Sequence, residues 1–139
     1  WGTAMATLDD FKELDIRIAT IRDVFDHPNA DKLYVLKVDV GDKQKQLVAG
    51  IKLSYSKEEL IGKQIVVIDN LEPAMIRQEE SQGMLLAAQD ESGIDILSPE
   101  RHVQEGSVVR WTPLEIILVF VVLMRRNRNG KKWFGQKKD

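Results

Sequence analysis

Four side chains that suit the binding of a ligand lie within fifteen residues of one another, namely Asn70, Arg77, Ser81 and Met84. An Asn amide can both donate to and accept from the edge of a base, and an Arg guanidinium pairs with phosphate. A Ser hydroxyl can reach phosphate or a 2′-hydroxyl, and an exposed Met can lie against a base. These residue types favour RNA as the ligand, although Asn70 could instead bond loop backbone and Met84 could belong to the core.

The other residues of the chain give little support to a catalytic function. The chain has no cysteine and only two histidines, His27 and His102, which do not stand at the spacing of metal ligands. The carboxylate pairs Glu58-Glu59 and Glu79-Glu80 are adjacent in sequence, and adjacent side chains do not converge on one substrate in a helix or strand. No glycine-rich phosphate loop is present. The sequence therefore predicts a protein that is not an enzyme and that holds no metal or cofactor.

The first half of the chain predicts three strands around one chemically specified turn. Thr7 can cap a short helix up to Leu14, and an apolar-periodic strand follows from Ile16 to Val24. The phase of its apolar residues shifts, which predicts a bulge near Ala19-Thr20. The turn 27–33 contains Pro28 and two residues that bond backbone locally, Asn29 and Asp31. Strands are expected at 33–40 and 44–49, joined by a hairpin at 41–43.

The second half adds a helix and further strands. Ser56 with Glu59 matches a capping box and predicts a short helix that ends at Gly62. The continuous apolar run of 64–68 predicts a strand covered on both sides. The other predicted elements are an irregular connection over 70–83, a buried strand over 84–88, a strand over 94–97 and a closing segment over 106–110. The order strand-strand-strand-helix-strand-strand predicts an all-β fold, the five-stranded OB-fold Greek-key barrel with short helices.

Three motifs carry a resemblance to a known family. They are His27-Pro28-Asn29-Ala30-Asp31-Lys32-Leu33, Asn70-Leu71-Glu72-Pro73, and Ser81-Gln82-Gly83-Met84 with Arg77 between the last two. The chain over about residues 8–110 resembles the tRNA-binding domains of methionyl- and phenylalanyl-tRNA synthetases, their stand-alone relatives and the export chaperone CsaA. The resemblance implies tRNA as the ligand and Lys32, Asn70, Arg77, Ser81 and Met84 as the RNA-binding residues.

The sequence departs from this family beside the basic residue. The family usually has Gly after that residue, whereas Gln78 follows Arg77 here, which restricts the backbone angles of the loop. Glu79 and Glu80 place two negative charges within a few residues of Arg77. At a Debye length of about 8 Å these charges offset part of its attraction for phosphate.

The net charge of −2 divides unevenly along the chain. Residues 111–139 carry seven basic and two acidic groups, and the other 110 residues carry 13 basic and 20 acidic groups. Because a polyanion binder needs a basic surface, the acidic part can bind RNA only if its charges are segregated. The apolar run 114–124 is too short to span a membrane. Its residues Val119–Met124 could form a dimer strand, as in some members of the family, or belong to a tail that diverges from it.

Together these observations predict three segments. They are an N-terminal extension of residues 1–7 whose start resembles a vector-derived remnant, an OB-fold domain of residues 8–110 and an atypical extension of residues 111–139. The predicted function is a non-catalytic, structure-specific tRNA-binding module, acting as a homodimer or in trans with a methionyl-type synthetase. Two alternatives remain, a CsaA-like chaperone for unfolded peptides and an assembly module for a synthetase complex. The lack of cysteines and of a recognisable leader favours a cytoplasmic location.

Overall fold

The structure, a computed structural model, describes residues 4–111. The chain divides into two compact units, Trp1–Val109 and Arg110–Asp139. The predicted extension 111–139, including the apolar run 114–124, lies outside the described residues except for Trp111. In the second unit the Arg110 guanidinium carbon lies 5.9 Å from the centroid of the Trp111 ring.

The first unit is an all-β fold with two short helices, as predicted. The helices are α1 (Leu8–Lys12) and α2 (Lys57–Leu60), and both begin at capping boxes, at Thr7 and Ser56. The strands are β1 (Ile16–Asp26), β2 (Tyr34–Val40), β3 (Lys43–Ala49), β4 (Gln64–Ile68), β5 (Ala74–Ile76), β6 (Glu79–Ser81), β7 (Met84–Leu85), β8 (Ala87–Asp90), β9 (Gly93–Ile96) and β10 (Val108–Val109).

The main sheet has the order β3-β2-β1-β4-β7, with β10 paired to β1, and its pairs are antiparallel. Its outer strand β3 is joined to the segment just before β7. The Gln82 N–H donates to the Gln46 carbonyl at 2.8 Å, and the Gln46 N–H donates to the Gln82 side chain at 2.8 Å. Hydrogen bonds therefore run around the whole sheet and close it into an OB-like barrel.

Strand β1 is covered on both faces, which its sequence pattern did not indicate. Ala19 and Ile21 belong to the main core, whereas Ile16 and Ile18 pack with Val66 in a second cluster. The apolar phase changes because the covered face changes, and the bulge predicted near Ala19-Thr20 is misplaced. The register against β2 shifts instead between Ile21 and Asp23.

Two other segments also differ from the prediction. The connection 70–83 contains the β5–β6 hairpin, whose two turn residues Arg77 and Gln78 have positive φ angles of 52° and 74°. The predicted buried strand 84–88 is divided at Leu86, whose N–H donates to the Val66 carbonyl while its own carbonyl accepts from Leu97. Beyond Leu86 the chain leaves β4 and pairs with β9, and Ala87 and Ala88 are exposed.

Candidate nucleic-acid interface

The turn between β1 and β2 is organised by His27, which is only 5% exposed. The His27 N–H donates to the Leu33 carbonyl at 3.2 Å and closes the turn. The imidazole Nδ1 accepts from the Asn29 N–H at 2.9 Å, and Nε2 lies 2.8 Å from the Ile76 carbonyl oxygen. Because Nδ1 faces a donor and Nε2 faces an acceptor, the proton of the neutral ring belongs on Nε2. The histidine therefore joins the turn to strand β5.

Asn29 makes a second connection, to the tip of the β5–β6 hairpin. Its side-chain amide donates to the Arg77 carbonyl at 2.9 Å and to the Gln78 side-chain oxygen at 3.2 Å. Positive φ at both central residues is the conformation of a type I′ turn, which favours Gly or Asn. The contacts with Asn29 help to hold Arg and Gln in this conformation.

This arrangement brings Lys32 and Arg77 to the same hollow. The hollow has a volume of about 480 Å³ and is lined by residues 29–33 together with Arg77. Both cationic side chains are exposed, and one carboxylate, that of Asp31, lines the hollow with them. The surface formed by residues 29–33 and Arg77 is called the turn–hairpin ledge below.

Lys32 and Arg77 also differ from the other cations of residues 4–111 in having no side-chain partner there. Each of the others lies against a carboxylate, a polar group or a ring. Among the ion pairs are Arg17–Asp15, Arg22–Asp39, Arg22–Glu105, Lys43–Asp69, Lys45–Asp69, Lys52–Asp26, Lys57–Asp26 and Arg101–Glu100. Lys37 donates to Gln46, and the Lys63 ammonium lies 5.8 Å from the centre of the Tyr55 ring. The two cations left free within residues 4–111 are therefore those of the ledge.

Asp69 is one of the acidic residues whose charge is paired with lysines. Its carboxylate is buried and lies 2.9 Å from the Lys43 ammonium and 2.7 Å from the Lys45 ammonium. Burial acts to raise the pKa of Asp69, but the hydrogen bonds from Lys45 and Lys43 outweigh it, so the pKa lies below its ordinary value. The same contact raises the pKa of Lys43. This cluster ties β3 to the end of β4 and leaves neither lysine free for phosphate.

Ser81 is buried, and its hydroxyl is engaged by backbone. The residue is 4% exposed, and its Oγ accepts from the Val48 N–H at 3.0 Å and donates to the Gly83 carbonyl at 2.9 Å. The hydroxyl satisfies backbone at the seam where β3 meets the β6–β7 connection. A direct contact between Ser81 and RNA, expected from the sequence, has no support in this geometry.

Asn70 also bonds backbone through both ends of its amide. Its oxygen accepts from the Asp15 N–H at 2.8 Å, and its nitrogen donates to the Glu13 carbonyl at 2.8 Å. The side chain therefore fastens the segment after α1 to the end of β4. We accordingly treat Asn70 as a residue that maintains the fold, and not as part of the ledge.

Met84 is 52% exposed, so it does not belong to the core. It borders a separate hollow of about 370 Å³ that is also lined by residues 48–51 and by Leu85, Ala87 and Ile94. The two hollows are neighbours, because a Cβ on Gly50, in the second, would lie 3.6 Å from Leu33, in the first. Of the five predicted RNA-binding residues, the structure thus brings Lys32 and Arg77 together and places Met84 beside them.

His27 and Asn29 were not predicted as site residues. The sequence pattern indicates only a local role for Asn29 in the turn, whereas its side chain reaches a hairpin 48 residues away. A histidine before Pro28, directly after an apolar strand, was the available signal for a buried ring. Within the described part of the chain, no group of three or more His, Cys, Asp or Glu side chains could hold a metal ion. None of the helices in residues 4–111 is long and apolar enough to cross a membrane.

Comparison with known proteins agrees with this architecture. Residues 16–108 match the family model described as "Putative tRNA binding domain". The chain is 53% identical over 102 residues to the methionine–tRNA ligase of Thermococcus onnurineus, and 54% identical over 101 residues to that of Nanoarchaeum equitans. Each alignment covers 73% of this chain, but only 14% and 13% of the respective ligase. The chain thus spans about one seventh of the length of these curated relatives.

Similarity to solved structures extends over nearly the whole described region. The CsaA chaperone protein of Picrophilus torridus is 34% identical, with a TM-score of 0.72 over 76% of this chain and 100% of its own. The MetRS-related protein of Pyrococcus horikoshii is 28% identical, with a TM-score of 0.72 over 78% of this chain and 100% of its own. By sequence and by fold, the chain belongs to the tRNA-binding domain family.

Proposed function

We propose that this chain is a non-catalytic tRNA-binding module that contacts RNA phosphates through Lys32 and Arg77 on the turn–hairpin ledge. The observation that carries the proposal is the shared position of these two cations, both exposed and both without a partner within residues 4–111. An unpaired Lys or Arg can neutralise a phosphate without first breaking an ion pair. Membership of the tRNA-binding domain family supports tRNA as the nucleic acid.

The neighbouring hollow beside Met84 suits a nucleotide that continues from the ledge. The side chains that line it are apolar, among them Val48, Ile51, Leu85 and Ile94 next to the exposed methionine. Unpaired bases bind proteins by lying against apolar or aromatic side chains. We therefore retain Met84 in the contact surface and leave out Ser81 and Asn70, whose polar groups are bonded to backbone.

The test is a titration with total tRNA at two or more salt concentrations. Arg77→Ala and Lys32→Ala each remove one free cation, so each should weaken binding and reduce the salt slope by about 0.7 to 0.9. Arg101→Ala is the matched control, because Arg101 is exposed but outside the ledge. We expect the control to bind like the wild type and all three variants to keep its melting temperature.

Two results would count against the proposal. One is no binding of tRNA by the wild type at 50 mM salt, and the other is an equal loss in Arg77→Ala and Arg101→Ala. A loss of melting temperature that parallels the loss of affinity in Arg77→Ala would make Arg77 a structural residue.

A second candidate function is the binding of unfolded peptides. It is favoured by the apolar hollow beside Met84 and by the similarity to a solved CsaA chaperone. Met84→Glu should abolish suppression of the aggregation of an unfolded substrate if this candidate is correct, while Arg77→Ala should not affect it. If the wild type suppresses no aggregation, the peptide-binding candidate is refuted.

The partners and assembly of this chain are proposed from its similarity to known relatives. Similarity to methionine–tRNA ligases supports association with a methionyl-type synthetase, either within one polypeptide or in trans. Assembly of a synthetase complex is a further proposed role. A homodimer, a cytoplasmic location and the segment boundaries at residues 7 and 110 also remain proposals.

A further inference from the structure

His27 is a buried titratable group that the proposed contact with RNA does not use directly. Both of its ring nitrogens are nevertheless engaged, Nδ1 with the Asn29 N–H and Nε2 with the Ile76 carbonyl. Asn29 in turn holds the Arg77 carbonyl and the Gln78 side chain. One chain of hydrogen bonds thus links the turn that carries Lys32 to the hairpin tip that carries Arg77.

We propose that His27 and Asn29 are positioning residues that set the spacing of Lys32 and Arg77 for RNA. Their chain of hydrogen bonds is called the latch, and protonation of His27 releases it. The inference rests on the proposed function and deepens it by assigning a means of regulation to the same site. Neither residue needs to touch RNA. Their effect is to keep two cations on separate segments at one hollow, so that a bound phosphate backbone meets both without ordering either segment first.

Protonation affects one half of the latch. The neutral ring carries its proton on Nε2, where it donates to Ile76, and leaves Nδ1 as the acceptor for Asn29. The imidazolium carries protons on both nitrogens, so two N–H groups would face each other across the 2.9 Å between Nδ1 and the Asn29 nitrogen. The bond to Ile76 survives, but the turn can no longer keep Asn29 in place, and the contacts of Asn29 with the hairpin tip are weakened.

Charged groups of both signs lie on the elements next to the ring. On the β1 side, Asp26 is paired with Lys52 and Lys57. On the turn, Asp31 opposes Lys32, and on the hairpin, Glu79 and Glu80 oppose Arg77. The hydrogen-bond partners of the ring, a donor at Nδ1 and an acceptor at Nε2, match the neutral imidazole.

His27→Gln separates the two halves of the latch. A glutamine amide can still donate toward Ile76, but it offers no acceptor at the position of Nδ1. The variant therefore reproduces the latch state of the protonated wild type at every pH. At pH 8 we expect the wild type to bind tRNA about fivefold more tightly than His27→Gln, which corresponds to one hydrogen bond. Asn29→Ala, which removes the contacts with the hairpin tip, should lose affinity by a similar factor.

The decisive readout is the ratio of the two affinities across the range in which imidazoles titrate, about pH 5 to 8. The other titrating groups are common to both proteins and cancel in the ratio. The ratio should fall toward one as the imidazole becomes protonated on lowering the pH, while both proteins remain folded by circular dichroism. A ratio that stays constant, or that rises because the imidazolium attracts phosphate, would overturn the proposal.

A measurement without RNA distinguishes failure of the latch from failure of the proposed function. In ¹H–¹⁵N spectra of the free protein, the amide resonances of Asn29, Arg77 and Gln78 should move together through one titration in the wild type. They should lack that step in His27→Gln. If the step is present but the wild type binds no tRNA at pH 8, the latch exists and the RNA assignment is wrong. If the step is absent, the latch itself is refuted.

Discussion

Ser81 and Asn70 carry polar groups that suit RNA, but their hydrogen bonds go to backbone. A hydroxyl that bonds two backbone groups at 4% exposure contributes to folding, because those groups would otherwise be buried without partners. Lys32 and Arg77 have no such partners and remain available. The sequence predicted the residue types and their proximity, but not which side chains are free, because Val48, which bonds Ser81, and Asp15 and Glu13, which bond Asn70, lie 33 to 57 residues away from them.

The structural assignment of Ser81 can be tested by Ser81→Ala. The substitution leaves the Val48 N–H without an acceptor in a partly buried position, so the free energy of unfolding should fall by about 1 to 3 kcal/mol in urea. The affinity of the folded protein for tRNA should not change. Ser92→Ala is the control, since Ser92 is exposed and bonds only Asp90 two residues away, and its effect should stay within about 0.5 kcal/mol. Unchanged stability together with weaker binding in Ser81→Ala would restore Ser81 as an RNA contact.

Among the elements, those set by local sequence were predicted and those set by distant contacts were not. Both helices begin at their capping boxes, and β4 covers the predicted residues 64–68. The β5–β6 hairpin escaped prediction because Arg77-Gln78 is not a typical type I′ sequence. The bulge was misplaced because Ile16 and Ile18 face a second cluster, which a single strand pattern cannot reveal.

The ion pairs of Asp69 with Lys43 and Lys45, which join β3 to the end of β4, should make the free energy of unfolding depend on pH in the acidic range. Because the folded pKa of Asp69 is below its ordinary value, the stability that its ionised form contributes is present above about pH 4 and is lost as the pH falls through the lower folded value. Between pH 7 and pH 2.5 the wild type should therefore lose more stability than Asp69→Asn. At pH 7 the variant should be less stable by on the order of 1 to 3 kcal/mol.

Urea unfolding of both proteins at each pH measures this difference. Other acids with lowered pKa values, such as Asp26 and Asp90, are common to both proteins and cancel. Asp23→Asn serves as the exposed control and should follow the wild type at each pH. Equal acid sensitivity of the wild type and Asp69→Asn would show that the pair with Lys43 and Lys45 does not stabilise the fold.

At the scale of the described part of the molecule, the acidic composition and the RNA proposal are compatible because Lys32 and Arg77 are left without an ion-pair partner at one hollow. Most cations of residues 4–111 are held in ion pairs on other parts of the barrel, such as Lys43 and Lys45 on Asp69. The two free cations share one hollow. Since residues 1–110 carry a net charge of −7, their field beyond the ledge repels RNA, and binding should depend on few contacts.

The most direct test of this account is a map of the tRNA contact on the ¹⁵N-labelled protein at low salt. The account predicts that chemical-shift changes on addition of tRNA concentrate at residues 27–33 and 75–80, with smaller changes around Met84. The β8–β9 hairpin, residues 87–96, should be unaffected beyond its border with Met84. Changes centred on residues 89–105, with the amides of Lys32 and Arg77 unmoved, would contradict it.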